Sequence, residues 1–202
     1  MVAMEGSGAL AIEERGSRVI GYIKSQRLRL IALVYATLLA SLAIGVFVPL
    51  PLSYAEYLAD LYNRTIAREY LALRGFANKT LFILFNNMKV LILSSVPVMG
   101  PIFMYYTALS AGMVLNALAA TSSGRVTHLQ VLVTSLTAPS TWLELLAFSI
   151  VTSESILLSV QILKKGSLKD EAFYMAAALI VSSALLLISA SVEALATIAA
   201  SR

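Results

Sequence analysis

Few residues in this chain could do chemistry, and those few lie inside apolar runs. Asn86, Asn87 and Lys89 share one run, Asn116 lies in a second, Glu144 and Glu154 in a third, and Glu193 in a fourth. An ionisable side chain at the centre of a bilayer costs roughly 2.5–3.5 kcal/mol on insertion scales, so it faces protein, a cavity or an interface. Two uses of these groups follow. In one they are structural. Thr141-x-x-Glu144 reads as a capping box just after Pro139, with Glu144 satisfying amides at a helix start. Asn86 and Asn87 then hydrogen-bond between helices, at about 0.6–2 kcal/mol each. In the other use, Lys89 pairs with Glu144 or Glu154 along an ion or proton pathway. The structural use is the first expectation and transport the second.

Enzymatic chemistry finds no footing in the spacing. Glu144 and Glu154 on one helix stand about 15 Å apart along its axis, beyond the separations of the carboxylate pairs that hydrolyse glycosides. The sequence contains neither H-E-x-x-H nor G-x-S-x-G. It has no cysteine, which removes disulfides, thiolate metal sites and a cysteine nucleophile. A single histidine, His128, is too little for a metal site or a histidine-based triad. No catalytic residue, metal or cofactor is therefore expected.

The elements that must position these groups are membrane spans. The chain is 59% hydrophobic and 13% charged, whereas a soluble domain is about 45–50% apolar and about 25% charged. An all-α polytopic bundle of about five spans is expected, with one external amphipathic helix. A polar, basic segment (1–29) precedes the first span (30–50), which Pro49 and Pro51 end. The apolar stretch 80–120 is about twice one span and breaks at Pro97-Val98-Met99-Gly100-Pro101, giving spans at 80–96 and 101–120. Pro139 divides 129–163 into a short or re-entrant piece (129–138) and a full span (140–163). The last span is 171–200, with Ser167 and Asp170 as its N-terminal cap.

Between the first two spans, Tyr54, Leu58, Leu61, Tyr62, Ile66, Tyr70 and Leu73 recur at steps of three and four. Glu56, Asp60, Arg64 and Arg68 fall on the other side, so 53–74 reads as an amphipathic helix suited to the membrane–water interface, with Gly75 as its stop. The basic 1–29 segment and the Lys164-Lys165 loop place the N-terminus on the cytoplasmic side of the cell membrane and, with five spans, the C-terminus outside. The net charge of +4 reads as topology. No basic–aromatic stripe stacks bases, so nucleic acid is not an expected partner. Stripes of small residues, Ala108, Gly112 and Asn116 and then Ala178, Ser182 and Ser189, allow close helix packing. A homo-oligomer, a dimer first, is expected, together with the bilayer and a membrane or external protein partner.

The stretch Phe82-Ile83-Leu84-Phe85-Asn86-Asn87, then Gly100, then the small-residue span around Gly112, then Pro139-Ser140-Thr141-Trp142-Leu143-Glu144-Leu145-Leu146-Ala147, resembles the stage II sporulation protein M family. That family follows a paired-Asn span with a Gly-rich one, then opens a later span with Pro-His-Gly-x-x-Glu-Leu-x-Ala. Pro139, Glu144, Leu145 and Ala147 match, and Ser140 and Thr141 stand where the family has His and Gly. The resemblance covers roughly residues 25–200 and makes this a divergent member. It implies a non-enzymatic membrane scaffold that organises partner proteins. It does not carry sporulation over to this chain. A small transporter, or an accessory subunit of one, using Lys89, Glu144 and Glu154, is the alternative.

Overall fold

The computed structural model describes residues 5–166 and 168–200, with side chains from Gln26 onward. Every regular element among the described residues is helical. The chain runs α1 (Glu5–Phe47), α2 (Leu52–Tyr62), a π-helical turn (Asn63–Ala67), α3 (Arg68–Ala72), α4 (Phe76–Ser94), α5 (Met99–Ala120), α6 (His128–Thr137), α7 (Pro139–Lys164) and α8 (Lys169–Ala200). Four helical segments are long and apolar enough to cross a membrane: Gln26–Phe47, Met99–Ala120, Pro139–Lys164 and Lys169–Ala200. The segment expected as the second span lies in the helix α4, 19 residues long. Lys79, Asn86, Asn87 and Lys89 set it apart from those four in apolar character.

Two expectations need correction. The basic segment is not separate from the first span, because α1 is one helix of 43 residues, about 65 Å long at 1.5 Å per residue. Nor is the amphipathic segment one regular helix, since the π turn interrupts it. The breaks fall where the prolines and glycines put them. α1 stops before Pro49, and Pro51 is the N-cap of α2. Gly75 holds φ +82 between α3 and α4. The expected Ser167 cap lies outside the described residues.

α7 is the hub. In its apolar window 50% of residues are buried, against 28%, 33% and 33% in the other three long segments. It packs most extensively on α8 and also touches α1, α4, α5 and α6. The core gathers Val34 and Leu38 of α1, Leu91 of α4, Met104 and Ala108 of α5, Leu145, Phe148 and Val151 of α7, and Leu186 of α8. Lipid adds little hydrophobic drive between helices, so close packing and hydrogen bonds must hold such a bundle. Both are present on the small-residue stripes. Ser182 donates to the Ala147 carbonyl at 2.9 Å and Ser189 to the Ser140 carbonyl at 3.1 Å. Asn116 donates to the Val48 carbonyl at 2.6 Å. These stripes are therefore engaged within one chain and carry no argument for a second copy.

The tightest crossing is α1 against α5. A methyl group placed on Gly112 would meet the Leu42 carbonyl and stand 2.9 Å from the Gly45 Cα. Gly100 is equally confined, against the Ser94 carbonyl in the turn between α4 and α5. In that turn Val98 adopts φ +67, and its amide donates to the Ser159 hydroxyl at 2.6 Å.

Gly112→Ala should lower the thermal unfolding midpoint far more than Gly124→Ala. The first forces two backbones apart, an overpacking cost of about 1–3 kcal/mol. The second meets open space and bears only the strain of φ +78. Circular dichroism melts in one detergent compare the two.

Candidate functional site

Pro139 starts the site, because it breaks the descending chain into α6 and α7. α6 is entered by a capping box: the Thr127 hydroxyl accepts from the Gln130 amide at 3.2 Å, and Gln130 Oε1 accepts from the Thr127 amide at 2.8 Å. At its other end, Pro139 removes a donor and strands the last carbonyls of α6. The first turn of α7 reaches back to them. Thr141 Oγ1 donates to the Ser135 carbonyl at 2.8 Å, and Trp142 Nε1 to the Leu136 carbonyl at 2.6 Å. Trp142 stacks on Tyr35, well short of the end of α1, with ring centroids 6.3 Å apart.

Glu144 does not cap α7, contrary to the capping-box expectation. α7 has no side-chain cap, and Thr141 is occupied with Ser135. Glu144 instead reaches across to α4 and α8. Its Oε1 accepts from Asn87 Nδ2 at 2.7 Å and from Ser189 Oγ at 3.1 Å. Asn87 of α4 and Ser189 of α8 thus meet on one carboxylate oxygen of α7. Asn86 points to the same region, and its Oδ1 lies 3.4 Å from Lys89 Nζ.

Three cavities meet at Glu144, with volumes of about 260, 190 and 360 Å³. The first is lined by Tyr62, Ile66, Ala67, Tyr70, Phe82, Ile83, Asn86, Asn87, Glu144 and Glu193. The second runs towards Met104, Ala108 and Phe148, and the third towards Ala111, Val114 and Leu118. The first cavity thus joins Asn86, Asn87, Glu144 and Glu193 beneath the segment α2–π–α3. That segment is fixed at both ends. Ala55 and Ala59 bury against Ala117 of α5. Tyr70 donates from its hydroxyl to Thr197 of α8 at 3.0 Å, and its carbonyl accepts from Lys79 Nζ at 3.2 Å. Lys79 also lies 4.1 Å from the centre of the Tyr70 ring. The π turn carries Ile66 and Ala67 over the cavity. Burial, and then the Glu193 carboxylate, push the Tyr62 phenol up from its ordinary pKa near 10, so it is a neutral hydrogen-bonding group at physiological pH.

Lys89 and Glu154 do not belong here. Lys89 is exposed on α4 and pairs with neither glutamate. Glu154 is buried elsewhere, in an ion pair with Arg27 of α1, whose other terminal nitrogen lies 2.6 Å from Glu171 of α8. The Arg27 guanidinium also sits 3.9 Å from the centre of the Tyr174 ring. Sequence reasoning placed Arg27 in a solvated basic segment and missed this cluster. A signal was available: Glu154 needed a cation, and Arg27 lies at the boundary of the first apolar run. The proposed Lys89–Glu144 or Lys89–Glu154 pair is thereby corrected.

Among the described residues no group of three or more His, Asp or Glu side chains is placed to hold a metal ion. His128 stands apart, beside Phe47, Val48 and Asn116.

Glu144→Gln should leave stability nearly unchanged, because an amide oxygen can still accept from Asn87 and Ser189. Glu144→Leu should cost about 1–3 kcal/mol by stranding the Asn87 amide. Arg27→Met should cost more, about 3–5 kcal/mol, because it leaves Glu154 charged and buried. Arg27→Met with Glu154→Leu should recover part of that loss. Thermal melts of the four proteins check the order.

Compared with protein-family models, with curated proteins and with solved structures, the chain matches none.

Proposed function

We propose that this protein is a non-enzymatic membrane scaffold of the stage II sporulation protein M type, a divergent member by its residues at 140 and 141. In this reading α4 is a fifth span. It is about 28 Å long, and Ile83 packs against Ala190 and Ala194 of α8. α6 is then re-entrant, the N-terminus of α1 is cytoplasmic, and the C-terminus is external.

The supporting observation is the way α2–π–α3 is held. One side is anchored by Ala55, Ala59 and Tyr70, while Tyr57 and Leu71 on the other are 59% and 71% exposed. Glu56, Asp60, Arg64, Arg68 and Glu69 stand among them, all exposed. A segment pinned to a rigid bundle with a mixed apolar and charged outer face suits partner docking. A homo-oligomer, with a dimer first, remains part of the reading and would use lipid-facing surfaces.

A second reading, a small transporter or an accessory subunit of one, draws on the broken helix α6–α7 and the cavities at Glu144, since irregular backbone within a membrane accompanies water-lined sites. Arg27 neutralises Glu154 and Lys89 lies outside the cavities, so this reading now rests on Glu144 with Glu193.

The absence of native cysteine makes single-cysteine labelling clean. A photo-crosslinker at Tyr57→Cys or Leu71→Cys, activated in native membranes, should capture protein, and the same probe at Ile180→Cys on α8 should capture lipid. Lipid adducts alone at all three sites would sink the docking role. Proteoliposome flux of protons or small cations that Glu144→Leu abolishes in a folded protein would replace the scaffold by the transporter.

A further inference from the structure

α1 and α7 run antiparallel: Tyr35 stacks on Trp142, while Arg27, earlier on α1, pairs with Glu154, later on α7. Between these two ties lies an open groove of about 390 Å³. Leu28, Ile31 and Tyr35 line it from α1, and Trp142, Leu143 and Leu146 from α7. Leu28, Trp142 and Leu146 are exposed, so the rest of the described chain leaves these walls uncovered. The shortness of α6 is the reason. Its 10 residues extend about 15 Å, half of a hydrocarbon core of ~30 Å. Its last turn is held against Thr141 and Trp142, and no residue of α6 lines the groove. The groove therefore begins where α6 ends and follows α1 for about 10 Å towards the arginines at the start of its apolar run.

Those two arginines differ. Arg27 is committed to Glu154, Glu171 and the Tyr174 ring. Arg29 follows the lining residue Leu28, is exposed, and has no ion pair or hydrogen bond among the described residues. We propose that the groove seats an acyl chain of an anionic phospholipid whose phosphate lies at Arg29. The walls call for hydrocarbon: the Trp142 indole N–H is already given to the Leu136 carbonyl, which leaves its ring as an apolar surface. The open end calls for an anion, since an unpaired arginine at the membrane surface attracts acidic headgroups and its guanidinium suits phosphate. A second copy of the chain fits less well. A helix 10–12 Å across that followed the groove would displace roughly 800 Å³, about twice the space present. The site rests on the long helices spanning a bilayer and is independent of the scaffold role.

Trp142 is the sole tryptophan of the chain, so its fluorescence reports on the groove directly. The test uses the full chain in phosphatidylcholine liposomes, washed with alkali to establish insertion. Phosphatidylglycerol or phosphatidylcholine brominated on its acyl chains is the quencher. Brominated phosphatidylglycerol is expected to reach half-maximal quenching at a mole fraction about fivefold lower than brominated phosphatidylcholine. Arg29→Gln should bring the two curves together, and Arg68→Gln, on α3, should leave them apart. Ala32 also lines the groove. Ala32→Phe should fill it and lower the quenching plateau for both lipids, whereas Leu33→Phe, at an exposed position outside the lining, should not. Coincident curves for the native chain would overturn the site, as would a preference kept in Arg29→Gln or a full plateau in a folded Ala32→Phe protein. Quenching by neither lipid, the result if a second copy covers Trp142, would overturn it too. Release of the chain by alkali would overturn the membrane-spanning reading, and the site with it.

Discussion

A polar group carried into an apolar bundle needs a hydrogen-bonding partner inside the protein, and where that partner lies on another helix it ties the two together. α7 brings in more such groups than its neighbours do. Ser140, Ser149, Thr152, Ser153, Glu154, Ser155 and Ser159 are all buried on it. Ser149 and Ser153 turn back to carbonyls of α7 itself, while others reach neighbouring elements. Ser155 donates to the Val96 carbonyl at 2.9 Å, and Ser159 accepts from Val98, which fixes the turn between α4 and α5. Ser182 and Ser189 reach α7 carbonyls from α8. Arg27 ties α1 to both α7 and α8. The central helix is thus less a greasy core than a column of hydrogen-bonding points.

The break at Pro139 shows the same constraint at a single locus. Broken backbone releases carbonyls that lipid cannot satisfy. Thr141 and Trp142 answer two of them from one turn away. With Thr141 committed backwards, Glu144 is free to reach sideways to Asn87 and Ser189. The cavity-lining position of Glu144 is therefore a consequence of how the break is repaired.

Much of the architecture was legible in the sequence because it rests on local signals. Apolar run length gave the helices, and Pro49, Pro51, Pro97 and Pro139 gave their boundaries. The importance of Asn87, Asn116 and Glu144 followed from the cost of polarity among apolar residues. What was not legible depends on which helices become neighbours. Arg27 reads as solvated until α7 and α8 are laid beside it. Thr141-x-x-Glu144 satisfies the capping-box pattern, yet a carbonyl stranded at Ser135 and a distant amide at Asn87 outcompete it. The Gly45–Gly112 crossing could not be drawn either, since the stripe on 108–116 names a close approach without naming the partner. Lys89 looked central by depth alone, but the face of α4 it occupies puts it outside.

The π turn at Asn63–Ala67 has a consequence of phase. A π turn holds one more residue than the α-helical turn it replaces, and each α-helical residue advances the helix by about 100°. The extra residue therefore sets the angular register between α2 and α3. With it, Ala55 and Ala59 face α5 while Tyr70, on the far side of the turn, faces Thr197 and Lys79. Removing one residue would rotate one anchor off its support whenever the other is kept. The segment behaves as a two-point clamp whose fit over the cavity depends on a count of residues rather than on the identity of any one of them.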